Sequence, residues 1–141
     1  MFLIDTLPTL NWWAVLLAAV SSFAVGAIWY ARPVLGRAWM KEIGVDPDNP
    51  GDRSGMAVVF IGVFIASFLT AVVLATIFAG TGTSGLLEGF LVGAVIGLIV
   101  RGGAHVIHNG FAGRSATLTT IDVAHDTVAI AIMGAIIGVW P

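Results

Sequence analysis

Cysteine is absent from the 141 residues, and charged side chains are scarce. The lack of cysteine excludes disulfide bonds, thiolate metal ligands and thiol nucleophiles. Asp, Glu, Lys and Arg make up 10% of the chain, whereas soluble globular domains carry about 25%. The formal net charge of -2 lacks the basic footprint that nucleic-acid binding requires. Composition therefore argues against a soluble domain and against a nucleic-acid partner.

Positive charge is also missing from the beginning of the chain. Residues 1–10 contain no Lys or Arg, and the first basic residues are Arg32, Arg37 and Lys41. A secretory signal peptide carries its positive charge before the apolar segment. We therefore interpret the first apolar stretch as a retained membrane helix.

Apolar residues are what the chain has in abundance. Hydrophobic residues reach 58%, and the mean hydropathy is +1.01. A membrane-spanning helix needs about 20 mostly apolar residues. Four such stretches occur, at about 10–30, 56–79, 85–108 and 117–140. The sequence predicts an all-α polytopic membrane protein: one domain, a bundle of four transmembrane helices surrounded by membrane lipids.

The loop between the first two spans, residues 32–55, holds most of the charge. Within it, Val34 to Ile43 mixes apolar and charged residues in a pattern typical of a short helix in the membrane interface. Four Lys and Arg residues lie in this loop, Arg114 follows the third span, and the opposite side has none. The positive-inside rule then predicts a multi-pass inner (plasma) membrane protein with both termini outside.

Glycines recur every fourth residue at the start of the third span, at Gly85, Gly89, Gly93 and Gly97. Residues four apart share a helix face, so these glycines form a groove in which two backbones approach closely. Either another helix of the same chain or a second copy fills this groove. Small-residue faces that include Gly134 and Gly138 in the fourth span favour a homo-oligomer.

Ionisable residues cluster where the third and fourth spans approach the same membrane side. They are Arg101, His105, His108, Asp122, His125 and Asp126. Two further steps of four carry the glycine stripe to Arg101 and His105. If the two spans run antiparallel, His105 is level with Asp122, and Arg101 pairs with Asp126.

Several interpretations of this cluster remain open. It forms a cytoplasm-facing vestibule for protons, an anion or a metal, or a structural ion-pair network that fixes the register of two helices. Its His and Asp side chains offer ligands to a divalent metal, although Arg101 would repel a cation. Two histidines on facing helices also fit haem, without an attachment motif. No serine or threonine has the spacing of a catalytic elbow or triad, so we predict no catalytic residue.

The leading hypothesis is therefore a homo-oligomeric carrier or pore for protons, ions or a small solute. A structural or accessory subunit with a membrane-protein partner is the alternative, and a metal- or haem-binding membrane protein is third. No cofactor is predicted by the leading hypothesis, and an enzyme is the less favoured class.

Four short motifs are similar to those of a known family. They are Asn11-Trp12-Trp13-Ala14-Val15, Gly26-Ala27-Ile28-Trp29-Tyr30, Gly36-Arg37-Ala38-Trp39-Met40 and the ending from Gly134 to Trp140. On these motifs the chain resembles domain-of-unknown-function family 1761 over nearly its whole length. The resemblance implies a bacterial inner-membrane protein of four helices. It implies no reaction, ligand or catalytic residue.

Overall fold

The computed structural model describes residues 2–52 and 54–141, and the regular structure in those ranges is entirely helical. The helices are α1 Phe2–Thr6, α2 Trp12–Trp29, α3 Arg37–Glu42, α4 Met56–Thr81, α5 Leu86–Ile96, α6 Gly103–Phe111 and α7 Ala116–Val139. A 3₁₀ turn, Leu7–Thr9, follows α1. Two π turns, Arg32–Gly36 and Gly97–Gly102, precede α3 and α6.

Four helices are long and apolar enough to cross a membrane: α2, α4, α7 and the continuous helix Leu86–Phe111. The last of these, which we call the third span, consists of α5, the π turn Gly97–Gly102 and α6. The predicted all-α bundle of four transmembrane helices is confirmed. The chain is a multi-pass membrane protein.

Side-chain caps mark where two of the spans begin. The Asn11 side chain accepts a hydrogen bond from the Ala14 amide at 3.2 Å, and Ser115 accepts one from the Leu118 amide at 3.0 Å. Such caps satisfy amides that have no partner inside the first helical turn. The Asn11 side-chain amide also donates to the Trp140 carbonyl at 3.4 Å, which ties the start of α2 to the end of α7.

Helix α7 is the centre of the bundle, because it contacts α2, α4 and α5. Its buried residues Met133 and Ile137 join one apolar core with Val15 of α2 and Leu74 of α4. The α2 residues beside Val15 in this core are alanines, and small side chains let membrane helices approach closely. The core therefore holds α2 and α4 on one side of α7 and leaves the other side to α5.

The glycine stripe of α5 packs against α7 of the same chain. A Cβ atom added to Gly89 would overlap the Gly134 carbonyl, and one added to Gly93 would overlap the Ile130 carbonyl. Both overlaps are with backbone, which cannot move aside as a flexible side chain does. Glycine is therefore required at these positions for α5 and α7 to pack at this distance.

The same seam continues in both directions along α5. A Cβ atom on Gly97 would lie 2.8 Å from the Thr127 Cα atom. At the other end, the Gly85 amide donates to the Gly138 carbonyl at 2.6 Å. We call these contacts between the glycines of α5 and α7 the glycine seam. Because one chain fills the seam from both sides, a homo-oligomer has to use other surfaces.

Two short elements lie outside the spans. No helix was expected before residue 10, but α1 and the 3₁₀ turn occupy that segment. Helix α1 has only five residues, which are too few to show a helical period of apolar residues in the sequence. In the loop, the interfacial helix expected at Val34 to Ile43 is a π turn continued by α3.

Candidate functional site

The glycine seam changes its step where α5 ends. Gly97 is followed in the seam by Gly102, five residues later, where the earlier glycines were four apart. The π turn between them accounts for this step, because its hydrogen bonds run from residue i to i+5. A Cβ atom on Gly102 would lie 2.9 Å from Cγ1 of Val123. Gly102 therefore keeps α6 close to α7 after the extra residue.

This step moves Arg101 out of the seam. The spacing of four in the sequence predicted Arg101 and His105 on the direct continuation of the glycine stripe, and the π turn corrects that prediction. With Gly102 against α7, Arg101 stands at the flank of the seam and its side chain is 50% exposed. It reaches α7 from the side, with its guanidinium at the edge of the helix pair.

Asp126 of α7 is the centre of the polar site, and its side chain is only 11% exposed. Arg101 Nε donates to Asp126 Oδ2 at 3.1 Å, so the expected Arg101–Asp126 contact is present. His105 Nε2 lies 3.1 Å from the same oxygen. His125 Nδ1 lies 3.0 Å from Oδ1. An ionised carboxylate only accepts hydrogen bonds, so both imidazoles use these nitrogens as donors.

The pair formed by Arg101 and Asp126 lies deep within both spans. At about 1.5 Å per residue, each residue is about 15 Å from the nearer end of its helix, which is Phe111 for the third span and Ala116 for α7. The spans are longer than the hydrocarbon core of about 30 Å. The ion pair is therefore close to the middle of the membrane.

His125 is enclosed by the end of α2. Its ring centroid lies 6.1 Å from that of Trp29 and 5.0 Å from that of Tyr30. Gly26 leaves room for it, since a Cβ atom there would lie 3.5 Å from His125 Nε2. That nitrogen is buried and has no hydrogen-bond partner among the described residues. With Nδ1 donating to Asp126, the neutral imidazole would leave Nε2 as an unused acceptor.

Asp122 belongs to a second contact, again with the end of α2. The Tyr30 hydroxyl donates to Asp122 Oδ1 at 3.0 Å, and Trp29 Nε1 donates to the Ile121 carbonyl at 3.2 Å. Tyr30 directly follows α2, and burial, together with the Asp122 carboxylate, raises the pKa of this phenol well above its usual value. The hydroxyl therefore stays protonated and serves as a donor.

The six predicted ionisable residues thus divide into three groups. Arg101, His105, His125 and Asp126 form one network, and Asp122 accepts a hydrogen bond from Tyr30. His108 is exposed, and its side chain makes no hydrogen bond or ion pair within residues 2–52 and 54–141.

Trp29 and Tyr30 are the site residues that sequence reasoning missed. Tryptophan and tyrosine at the end of a span are typical of aromatic anchors at the membrane interface, so their position alone does not indicate a polar site. A signal was present, since Gly26 lies about one helical turn earlier and leaves space beside them for another side chain. The identity of that side chain, His125, depends on how α2 packs against α7, which no local pattern specifies.

Neither of two cavities in the bundle corresponds to the expected vestibule. One cavity of about 190 Å³ lies near Asn11 and Trp140, at the opposite end of the bundle. A more open groove of about 450 Å³ lies between Trp29, Leu35 and Thr120. Neither is lined by the Asp126 network. Among the described residues, no three His, Asp or Glu side chains are grouped to hold a metal ion.

Two polar contacts connect the loop to the bundle outside the spans. The Ser115 hydroxyl, which caps α7, donates to Glu42 at the end of α3. Arg37 of α3 binds both carboxylate oxygens of Asp48, at 2.9 and 3.0 Å. The hydrogen bonds and the charge of Arg37 lower the pKa of Asp48 below its usual value. The loop is therefore folded back on α3, and α3 is held against the start of α7.

Comparison with known proteins gives one match. Residues 13–138 match the family described as "Protein of unknown function (DUF1761)", and since this range covers most of the chain, the protein belongs to that family. The resemblance inferred from the four motifs is confirmed. No curated protein and no solved structure matches the chain.

Proposed function

We propose that this DUF1761 protein is a small carrier or pore that moves ions or a small solute across the membrane as a homo-oligomer. The observation that carries the proposal is the position of Arg101. Its guanidinium is half exposed on the surface of one chain, about 15 Å from the nearer helix end, in a segment that the membrane surrounds. Asp126 binds only its Nε, so the exposed terminal nitrogens need polar surroundings that the described residues of one chain do not provide.

Lipid is a poor environment for this guanidinium. A charged side chain in the middle of a membrane helix costs at least about 2.5 kcal/mol on insertion scales. Long basic side chains escape this cost by reaching the headgroups. Side chains on a helix lean towards its N-terminus, and the third span begins at Leu86, the end farther from Arg101. The Arg101 side chain therefore leans away from the nearer membrane interface, at Phe111. A polar path beside the third span is the arrangement that removes the cost.

A second copy of the chain is the partner that we propose on this side of the bundle. The residues next to Arg101 are apolar and exposed, with Leu98, Ile99 and Val100 facing outwards. Apolar side chains on this surface pack against those of a second copy, and the guanidinium beside them lines a polar path between the copies. The glycine seam is already filled within the chain, so the outer surface of the third span remains available for this contact.

The proposed orientation places both termini outside and the loop with Arg37 in the cytoplasm. It rests on the Lys and Arg residues outside the spans, which lie in the loop before α4 and in the turn before α7. The native chain has no cysteine, so single-cysteine variants report one position each. A membrane-impermeant maleimide should label Ser84→Cys in intact spheroplasts and Asn49→Cys only after permeabilisation. The reverse pattern would refute the orientation.

Flux through proteoliposomes tests the function itself. Vesicles containing the purified protein should pass ions under an imposed gradient, and Arg101→Ala and Asp126→Ala should abolish that flux. The matched control is His108→Ala, because His108 lies on the same span and its side chain makes no hydrogen bond or ion pair among the described residues, so the flux of this variant should be unchanged. The size-exclusion profile and the melting temperature must show that each variant is folded. Absence of flux from the folded native protein would disprove the proposal.

A structural or accessory subunit is the second candidate, and the saturation of Asp126 favours it. Both carboxylate oxygens of Asp126 accept hydrogen bonds, as they would in an ion-pair network whose only role is to hold helices together. This function predicts a stable membrane-protein companion that purifies with the chain in mild detergent. A homogeneous assembly of this chain alone, seen by native mass spectrometry, would count against it and would support the oligomeric carrier.

A further inference from the structure

The Asp126 network leaves two nitrogens of Arg101 without partners and engages both oxygens of its one carboxylate. Asp126 Oδ2 is occupied by Arg101 and His105, and Oδ1 is occupied by His125. A cation approaching this site would find both carboxylate oxygens engaged and a guanidinium beside them. The network therefore disfavours a cation as the bound species.

The free donors belong to Arg101. Only its Nε is bound to Asp126, and neither terminal nitrogen makes a hydrogen bond within the part of the chain that the structure describes. The edge of the guanidinium formed by Nη1 and Nη2 therefore remains open, with the side chain half exposed. Two parallel N–H groups on this edge match the two oxygens of a carboxylate or a similar planar anion.

Asp126 and its partners position this edge. The bond from Nε to Asp126 restrains the guanidinium, and Asp126 is itself bound by His125, which packs against Trp29 and Tyr30. His105, one turn further along the third span and 32% exposed, borders the same surface. Leu98, about one turn before Arg101, is apolar and exposed. Apolar surroundings strengthen an ionic hydrogen bond because they keep water, and its high dielectric constant, away.

We propose that the Nη1–Nη2 edge of Arg101 binds a small planar monoanion with two or more oxygens, of the formate, nitrate or bicarbonate class, and that this anion is the transported species. This inference rests on the proposed function and adds the class of solute and the atoms that bind it. Asp126 balances the charge of Arg101 when the site is empty. The anion then binds through hydrogen bonds from Nη1 and Nη2 and through its attraction to the guanidinium. Because Asp126 already balances part of that positive charge, the binding is weak enough for the anion to leave again.

Arg101→Lys separates this inference from a merely structural ion pair. Lysine keeps the positive charge that Asp126 needs but has no second planar edge to offer an anion. Arg114→Lys is the matched control, because Arg114 lies in the turn between the spans. In proteoliposomes, we expect Arg101→Lys to lower formate and nitrate flux at least tenfold, and Arg114→Lys to leave it unchanged. Full flux in folded Arg101→Lys would overturn the inference.

Anion binding to the native protein gives a second measurement that does not depend on any variant. A ligand that binds only the folded state raises the melting temperature. Sodium formate should raise it more than sodium chloride at equal ionic strength, and a titration calorimeter should detect formate binding that Arg101→Lys loses. Equal effects of the two salts, without formate binding, would overturn the inference.

The outcomes of these experiments separate the inference from the proposed function. Formate and nitrate flux that depends on Arg101 supports both. Flux of protons or of a metal cation, with none of formate or nitrate, keeps the carrier and overturns the anion. Absence of flux for every ion tested overturns the proposed function and, with it, the transported anion.

Discussion

Gly102 packs against Val123 at the place in the glycine seam that an uninterrupted α-helix would give to Arg101. The extra residue of the π turn produces this exchange. A glycine in the seam keeps the two spans in contact, and the charged residue beside it remains at their edge. The same turn therefore keeps α6 packed against α7 and exposes the guanidinium of Arg101, on which the proposed function depends.

The glycine seam predicts that a single methyl group destabilises the bundle. Gly93→Ala places a Cβ atom onto the Ile130 carbonyl, and overpacking of this kind costs about 1–3 kcal/mol. Gly103→Ala is the control, because a Cβ atom there meets nothing within 4 Å; alanine in a helix should stabilise it by up to about 1 kcal/mol. Thermal unfolding in detergent measures both, and equal melting temperatures would contradict the close packing.

The Arg101–Asp126 pair predicts strong coupling in a double-mutant cycle. Asp126→Ala leaves Arg101 unpaired within the membrane span, where an unpaired charge costs at least about 2.5 kcal/mol on insertion scales. Removing both side chains should cost clearly less than the sum of the single losses. Denaturant unfolding of the four proteins in detergent gives these free energies. Additive losses would show that the two residues do not interact.

The Tyr30 hydroxyl predicts a smaller effect at the junction of α2 and α7. Tyr30→Phe removes its hydrogen bond to Asp122 and keeps the ring against His125, so the free energy of unfolding should fall by about 1–3 kcal/mol, since a partly buried carboxylate loses its donor. Thermal unfolding compares the variant with the native protein. An unchanged melting temperature would mean that water replaces the hydroxyl at no cost.

The Arg37–Asp48 pair predicts that the loop opens in acid. Asp48 has a lowered pKa in the folded state, so its contribution is complete above the usual carboxyl pKa of about 3.9 and is lost as the pH falls through the lower folded value. Hydrogen exchange of the loop amides should therefore rise in that acidic window. Asp48→Asn should show fast exchange at every pH, and a loop that stays protected in acid would refute the assignment.

The four spans were predictable because each is a long apolar run, a signal that depends on local sequence alone. The Arg101–Asp126 contact was also within reach, since an antiparallel pair joined by a short turn brings residues at equal depth together. The π turn was not, because no residue type requires one. Its one trace in the sequence is the step of five from Gly97 to Gly102.

The environment of His125 lay beyond sequence reasoning for a different reason. Its neighbours Trp29 and Tyr30 are almost a hundred residues away and reach it only because α2 packs on α7. Many pairs of amphipathic or small-residue faces satisfy the same packing rules. The choice among them depends on the whole bundle, so the contacts of α2 with Asp122 and His125 required the folded structure.

The hydrogen bond between Gly85 and Gly138 joins the open ends of a helical hairpin whose other end is the short turn before Ser115. This closure bears on how the protein enters the membrane during its synthesis. A third span inserted alone would bring an unpaired Arg101 into the lipid, and a fourth inserted alone would bring an unpaired Asp126. Entry of the two helices as one preassembled unit lets each charge neutralise the other before either reaches the lipid.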